Sequence, residues 1–326
     1  DVAGVAGTPV ANSGTVFYSL AASGPFQSAP MAQVGTNQYE ASIPGSPCLT
    51  PVRFYFQVNS SGGLVTDPPT APVAWFSSVS ATGTTTILSD TFETNLGWSG
   101  AALDDTATTG RWNRMDPQPT AAQPGDDVTP APGVACWVTD GVAGTSIGAF
   151  DVDGGKTTLT TPLLNLAATP EARVSYWRWY SNTQGGEPNA DIFVVSVSND
   201  DGATWTVAET VGPAGAQANG GWFFKEFRLA DFVTPTAQVR VRFVASDLAG
   251  GSIVEAAVDD FLVRGFDCGA PCYPDCTGEG TLSVADFGCF QGKYVLGDLY
   301  ADCNGSGTLT VADFGCFQGE YVIGCP

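Results

Sequence analysis

The first 88 residues contain short apolar runs that turn-forming residues interrupt at close intervals. The runs "TVFYSL", "QYEASI", "VRFYFQV" and "VAWFSSV" are separated by "ASGPF", "PGSP", "NSSGG" and "TDPPTAP". Apolar and polar positions alternate within residues 53–58, as they do in a strand with one buried face. The pattern predicts a small antiparallel β-sandwich over residues 1–88, with the role of a spacer.

From residue 89 to residue 267 the apolar runs are longer and richer in aromatic residues. They include "YWRWYS", "DIFVVSVSND", "WFFKEFRL", "QVRVRFVASD" and "VEAAVDDFLVRG". Long aromatic strands are typical of two facing sheets, so this segment is predicted to be a jelly-roll β-sandwich. The sequence "NDDG" at residues 199–202 predicts a tight hairpin, because Asp-Gly readily adopts the backbone that such turns need.

The end of the chain is a repeat. Residues 275–298, "DCTGEGTLSVADFGCFQGKYVLGD", and residues 302–325, "DCNGSGTLTVADFGCFQGEYVIGC", are identical at 18 of 24 aligned positions. In both copies the aromatic residues after "VAD" recur at helical spacing. The pattern predicts one helix after each Asp- and Gly-rich loop, within a small third domain over residues 268–326.

Net charge and composition narrow the classes of function. The charge is -21, which disfavours binding to nucleic acid or to an anionic membrane and favours a cation as the small ligand. The chain has no histidine, which removes the Ser-His, Cys-His and common zinc hydrolase sites. No apolar run is long enough to span a membrane. We therefore expect a protein that is not an enzyme and has no catalytic residues.

Seven of the nine cysteines lie between Cys268 and Cys325. This density is typical of small disulfide-bonded modules in oxidising compartments, so we expect a secreted, extracellular or cell-surface protein. The chain begins at Asp1 without an export segment, which suggests a processed form.

The repeat makes two disulfides the simplest pairing: Cys276 with Cys289, and Cys303 with Cys316. A third bridge, Cys272 to Cys325, would then join the ends of the tail. Six cysteines allow 15 pairings, so the connectivity stays open. A thiolate metal site at Cys268, Cys272 and Cys276 is the competing interpretation, and Cys48 and Cys136 are the candidates for the unpaired thiol.

Each Asp-rich loop places oxygen-bearing residues at the positions that bind calcium in a 12-residue loop, with Gly280 or Gly307 at the turn. The first loop offers Asp275, Thr277, Glu279, Thr281, Ser283 and Asp286, and the second offers Asp302, Asn304, Ser306, Thr308, Thr310 and Asp313. The first loop has three acidic ligands and the second has two. We therefore expect two calcium ions in the tail, with the first bound more tightly.

Asp at the twelfth position, one helix per loop and two adjacent copies make the tail resemble a dockerin domain, and most closely the cysteine-containing dockerin-like tails of planctomycete-type secreted proteins. This resemblance implies calcium in both loops and attachment to a cohesin-like partner, with recognition through positions 10 and 11. Those positions are Val284, Ala285, Val311 and Ala312. The resemblance thus predicts an apolar contact.

The two upstream segments resemble an immunoglobulin-like or fibronectin-like domain and the jelly-roll domains of large secreted bacterial hydrolases. The second resemblance rests on "DVDGGKTTLTTPLLNL", "SYWRWYSN", "VSNDDGATW" and "EAAVDDF". It implies a third calcium that joins Glu93 to Asp259 or Asp260, and an ordinary solvated acidic pair is the alternative.

Glycan binding is a further possibility for this segment, because Trp177, Trp179, Tyr180 and Trp222 offer flat aromatic faces. Alternation places Trp177 and Trp179 on one strand face, and a core-facing pair is the favoured interpretation of them.

The leading hypothesis is a secreted, non-catalytic, calcium-stabilised assembly or adhesion protein. Its dockerin-like tail would bind a cohesin-like partner or other copies of the chain, which would make it a possible subunit of an extracellular filament. The alternatives are the detached accessory region of a secreted hydrolase, with a peptidase domain upstream of Asp1, and a carbohydrate-binding module.

Overall fold

The computed structural model describes residues 7–35, 38–248, 251–268, 272–278 and 281–324. The chain is mainly β and forms two compact units. The first unit combines residues 1–84 with residues 266–326, and the second comprises residues 85–265. The division into three domains, with boundaries after residues 88 and 267, stays a prediction.

The N-terminal part of the first unit is a five-stranded antiparallel sheet in the order β2-β1-β5-β6, with β7 paired to β5, beside a two-stranded β3-β4 sheet. The strands are β1 Thr15–Ser19, β2 Gln27–Pro30, β3 Ala32–Gly35, β4 Gln38–Glu40, β5 Pro51–Ser60, β6 Gly63–Asp67 and β7 Phe76–Val79. Val16, Tyr18 and Tyr55 are its buried apolar side chains among the described residues, and Phe17 stacks on Tyr55 at 4.7 Å between ring centres. The immunoglobulin-like assignment of this sheet stays a prediction.

The second unit is a β-sandwich. One sheet has the order β15-β12-β17-β10-β9 with β8 paired to β17, and the other has the order β11-β16-β13-β14. The strands are β8 Gly83–Asp90, β9 Trp112–Met115, β10 Cys136–Thr139, β11 Gly155–Thr160, β12 Arg173–Gly185, β13 Phe193–Ser198, β14 Thr206–Val211, β15 Asn219–Arg228, β16 Arg240–Asp247 and β17 Ser252–Asp267. The predicted hairpin at residues 199–202 connects β13 to β14, which pair antiparallel.

Alternate residues of both sheets fill a single core between them. Tyr176 and Tyr180 of β12 are fully buried and pack with Phe193 and Phe243 of the facing sheet. Since strand side chains alternate between faces, the residues at odd positions of β12 point to the outer face. Trp177 and Trp179 therefore lie on the face turned away from the core between the sheets, where Trp179 packs against a second, smaller apolar cluster. The interpretation that this pair faces the main core is wrong.

The tail contains two helices, α1 Val284–Leu296 and α2 Val311–Ile323. Each begins with a capping box, in which Ser283 or Thr310 is the N-cap and Asp286 or Asp313 returns the hydrogen bond. The first helix ends at Gly297, whose φ of 73° gives the left-handed conformation that glycine accommodates without strain. The sequence repeat thus becomes a structural repeat of loop and helix.

Aromatic residues from both copies form the core of the tail. Phe290 and Phe317, which are equivalent in the repeat, are fully buried and stack at 4.2 Å between ring centres. The other contacts are reciprocal: Phe287 meets Phe317 and Tyr321, and the equivalent Phe314 meets Phe290 and Tyr294. Neither helix could bury these faces without the other.

Three disulfides join cysteines that both lie among the described residues, all in the first unit. Cys276–Cys289 and Cys303–Cys316 each join a loop to the helix that follows it, as the repeat suggests. Cys48 is bonded to Cys268, a pairing that the sequence did not predict, and Cys136 is the buried free thiol among the described residues. Cys272 is also disulfide-bonded. Cys325, its predicted partner, lies outside the described residues. The disulfides are compatible with an extracellular location.

Candidate functional site

The first loop of the tail brings together three of its predicted ligands. The Thr277 hydroxyl lies 2.8 Å from Asp286 Oδ1 and 3.4 Å from Asp275 Oδ1. These oxygens occupy positions 1, 3 and 12 of the predicted calcium loop. Thr281 and Ser283 lie in the described part of the loop, and Glu279 and Gly280 lie outside it.

The second loop gathers oxygens around Ser306. Ser306 Oγ lies 3.0 Å from the Thr308 carbonyl oxygen and 3.4 Å from Asp302 Oδ1. The Ser306 amide donates to Asn304 Oδ1 and to Asp302 Oδ1, both at 2.9 Å. Carboxylate, amide, hydroxyl and carbonyl oxygens are the hard ligands that calcium takes, so the chemistry of this donor set fits the ion.

Asp286 and Asp313 connect each loop to its helix. Both side chains are fully buried. Burial raises the pKa of Asp286, but the hydrogen bonds from Thr277 and Ser283 outweigh it and hold the pKa below the usual value. Hydrogen bonding from Thr310 is the main cause that lowers the pKa of Asp313. Both carboxylates are therefore anions at the helix N-termini. Helix capping by itself explains their position there, without a bound ion.

Both helices also expose apolar residues at equivalent positions. The exposed fraction is 85% for Val284 and 84% for Val311 in the first turns, and 83% for Val295 and 85% for Val322 in the last turns. Ala285 and Ala312 are exposed as well. The four residues predicted to bind a partner, Val284, Ala285, Val311 and Ala312, are thus accessible on the surface of the tail.

In the sandwich, Glu93, Asp259 and Asp260 all bind the loop formed by residues 126–135. Glu93 Oε1 accepts hydrogen bonds from the amides of residues 134 and 135 at 3.0 Å. Asp259 Oδ2 accepts from the amides of residues 128 and 129, and Asp260 Oδ1 accepts from the Thr129 hydroxyl at 2.8 Å. All three carboxylates thus hold one loop by hydrogen bonds.

The sequence did not single out Asp127, which also belongs to this acidic group. Burial and then the charges of Asp126 and Glu93 raise its pKa to about 6. Burial also raises the pKa of Asp259 to about 7, although the Val128 amide opposes the shift. Among the residues that the structure describes, however, no three Asp, Glu, Cys or His side chains form a group that could hold a metal. The third calcium stays a prediction.

The predicted sugar-binding aromatics have different surroundings. Tyr180 is in the core. The indole N–H of Trp179 donates to the Ala122 carbonyl at 2.7 Å, and that of Trp222 donates to the Asp126 carbonyl at 3.2 Å. These two side chains thus hold in place, through hydrogen bonds, the loop between β9 and β10. Trp177 instead lies beside Phe224, with 5.5 Å between ring centres.

A cavity of about 230 Å³ opens next to this aromatic pair. Its lining includes Trp177, Phe224, Asp90 and Asp260. Phe224 is 55% exposed. This cavity combines an accessible aromatic face with carboxylates, a combination that the sequence could not place because it joins β8, β12, β15 and β17.

Within the described part of the chain, no helix is both long enough and apolar enough to cross a bilayer.

No family model and no curated protein matches the sequence. Among solved structures, the K1 cleaved adhesin domain of Lys-gingipain from Porphyromonas gingivalis W83 is 16% identical and covers 55% of this chain and 97% of its own, with a TM-score of 0.35. The CBM22-1 xylan-binding domain of Paenibacillus barcinonensis Xyn10C is 14% identical over 58% of this chain and 99% of its own, with a TM-score of 0.33. A family 11 carbohydrate-binding module from Clostridium thermocellum is 11% identical over 58% and 98%, with a TM-score of 0.31. At such TM-scores these similarities assign neither a family nor a function to the chain.

Proposed function

We propose that this chain is a secreted, non-catalytic protein whose calcium-stabilised tail docks to another protein. The observation that carries the proposal is the matched exposure of Val284 with Val311 and of Val295 with Val322. Apolar side chains that are more than 80% exposed at both ends of both helices support a binding surface there, because exposed apolar patches often mark sites of protein interaction. The partner is a cohesin-like protein or a second copy of the chain.

Calcium has a defined role in this proposal. The loop ligands hold the N-terminus of each helix, and the first-turn residues Val284 and Val311 follow directly from that terminus. A cation shared by the oxygens of a loop would fix the position of these side chains and offset the repulsion between the loop carboxylates. The disulfides Cys276–Cys289 and Cys303–Cys316 restrain the same two segments.

Hydrogen–deuterium exchange of the full chain in calcium chloride and in EDTA tests the role of calcium. We expect residues 272–324 to exchange at least tenfold faster in EDTA, because the loops lose the ion that orders them. Asp302→Asn should reduce this calcium dependence in the second loop, whereas Glu320→Gln, an exposed change on α2, should not. Equal exchange of the tail in calcium and EDTA would refute the calcium-dependent part of the proposal.

The docking surface is tested separately. If copies associate, sedimentation velocity in calcium will show a concentration-dependent dimer that the double variant Val284→Lys, Val311→Lys abolishes. If the wild type is monomeric, surface plasmon resonance against purified cohesin-type domains tests the other partner, with the same variant as control. A monomer that binds no such domain contradicts the docking proposal, even where calcium stabilises the tail.

Glycan binding by the sandwich is a second candidate function, and the cavity beside Trp177 and Phe224 favours it. An aromatic face supplies stacking area for a sugar ring, and Asp260 in the same lining supplies a carboxylate as a hydrogen-bond acceptor for its hydroxyls. On a glycan array, we expect binding that Trp177→Ala removes and Trp205→Ala leaves intact. A silent array for the wild type would eliminate this candidate.

A further inference from the structure

Polar side chains close one end of the sandwich core. Tyr180 and Asn182 belong to β12 in one sheet, Asp191 precedes β13 in the other, and Asp247 ends β16. Both Tyr180 and Asn182 have no exposed surface, and Asp191 and Asp247 are 4% and 2% exposed. Asp191 lies two residues before the core residue Phe193, and Asp247 lies two residues after the core residue Ala245. Because strand side chains alternate between the two faces, all four side chains lie between the sheets.

Three oxygen atoms of this group have no hydrogen-bond partner outside the group in the part of the chain that the structure describes: Tyr180 Oη, Asn182 Oδ1 and Asp191 Oδ2. Within the group, the Asn182 side chain is close enough to the Tyr180 hydroxyl to interact with it by hydrogen bonding. The other polar atoms of the same side chains are bonded: Asn182 Nδ2 donates to the Asp191 carbonyl at 2.6 Å, and Asp191 Oδ1 accepts from the Leu248 amide at 2.9 Å. The side chains are thus held in place while one oxygen of each has no partner outside the group.

Electrostatic effects show that these groups are neighbours. Burial raises the pKa of Tyr180, and the charges of Asp191 and Asp247 raise it further, while the adjacent Asn182 side chain opposes the shift. Asp151 belongs to the same end of the core: burial, then the charges of Asp153 and Asp247, raise its pKa to about 6. Several acidic side chains are therefore close together at this end of the sandwich.

No described Lys or Arg forms an ion pair with Asp191 or Asp151. The side chain of each is almost fully buried, and a buried carboxylate without a compensating charge costs several kcal/mol. An ordered water would satisfy the hydroxyl of Tyr180 and the amide oxygen of Asn182. Water would not neutralise the carboxylates, whereas a cation would do both.

We propose that Asp191 and Asn182, together with the Tyr180 hydroxyl and Asp247, bind a calcium ion between the two sheets of the sandwich. All four side chains offer oxygen, the element that calcium takes as ligand in proteins. Only two of them are carboxylates, which agrees with the absence of any group of three acidic, Cys or His side chains among the described residues. The site shares no residue with the tail loops or with the Glu93 group.

The placement gives the ion a structural role. Tyr180 and Asn182 come from one sheet, and Asp191 and Asp247 come from the other, so a shared cation connects the sheets where the apolar core ends. Removal of calcium would loosen this end of the sandwich and leave the opposite end unchanged.

Local hydrogen exchange in the full chain tests the site independently of the tail. In calcium chloride, we expect residues 186–195 and 243–247 to exchange about tenfold more slowly than in EDTA, whereas the hairpin at residues 199–202 should not respond. Asp191→Asn should abolish the calcium effect because it removes the charge without changing the shape. Glu187→Gln is the matched control, since it removes an exposed charge a few residues away and should leave the effect intact.

A second variant keeps the test decisive if Asp191→Asn does not fold. Asn182→Asp adds a carboxylate to the site, so it should strengthen the calcium protection and speed exchange in EDTA. Equal exchange of the wild type in calcium and EDTA at residues 186–195 overturns the proposal and leaves an ordered water as the explanation. Unchanged protection in Asp191→Asn overturns it as well, and equal protection by magnesium alone overturns the assignment to calcium.

Discussion

Glu255 is a buried acid whose protonation is coupled to folding. Its side chain is 2% exposed and accepts a hydrogen bond from Thr139 Oγ1 at 2.7 Å. Burial raises its pKa to about 8, the Thr139 hydrogen bond lowers it in part, and the charges of Asp151 and Asp140 raise it further. The folded protein therefore retains a proton that the unfolded chain loses near pH 4.5, the ordinary pKa of a glutamate side chain.

This shift predicts a loss of stability as the pH rises. Below pH 4.5 both states hold the proton and the stabilisation is complete; between about pH 4.5 and pH 8 only the folded state holds it, so the free energy of unfolding falls. The total is a few kcal/mol, at about 1.4 kcal/mol per pH unit. Glu255→Gln should remove this decline, as measured by urea unfolding in EDTA from pH 5 to pH 8. Parallel profiles for the wild type and the variant would contradict the prediction, and Glu187→Gln serves as the control.

At the scale of elements, Asp313 has two roles that can be separated. It completes the capping box of α2, and it occupies position 12 of the predicted calcium loop. In EDTA, Asp313→Ala should cost about 1 kcal/mol, because only the cap is lost. In calcium the loss should be larger, since the ion is lost too. Hydrogen exchange of residues 302–324 measures the free energy of unfolding of the tail in both conditions. An equal loss of stability in calcium and in EDTA would assign Asp313 to capping alone.

The stacked pair Phe290 and Phe317 couples the two helices. Either change, Phe290→Leu or Phe317→Leu, should destabilise the tail by about 1 kcal/mol through loss of the ring contact. The double variant should lose less than the sum, because the first change already removes the interaction between the rings. A double-mutant cycle measured by chemical unfolding checks this, and additive losses would show that the helices do not depend on each other.

How far these elements follow from sequence differs between regions. Both helices and their loops were predictable, because the same helical spacing of aromatic residues occurs in both copies of the repeat. The orientation of Trp177 and Trp179 was not, since alternation shows that they share a face and does not show which face meets the core. The site at Tyr180, Asn182 and Asp191 was also beyond prediction, because its residues meet only when two sheets pack.

At the scale of the whole molecule, the first unit takes residues from both ends of the chain. Changes in the sequence pattern predicted boundaries near residues 88 and 267, but they could not show that the segments before and after the sandwich form one unit. The pairing of Cys48 with Cys268 is likewise invisible in the sequence, because the two residues are separated by 220 positions and only the fold brings them together. The bridges inside the tail were accessible because the repeat places equivalent cysteines 13 residues apart.

The Cys48–Cys268 bond determines how tension would travel through the protein. A pull applied between the N-terminal sheet and the tail passes directly from Cys48 to Cys268, so the sandwich that lies between them in sequence carries none of the load. Stretching an oxidised molecule in a single-molecule force experiment should therefore yield no extension from the sandwich. After reduction, the same pull should release roughly 750 Å of additional length, at about 3.4 Å per residue. Equal extension before and after reduction would show that the bond does not shield the sandwich. If the bond does shield it, force can pass between the N-terminal sheet and the tail while the sandwich keeps its shape.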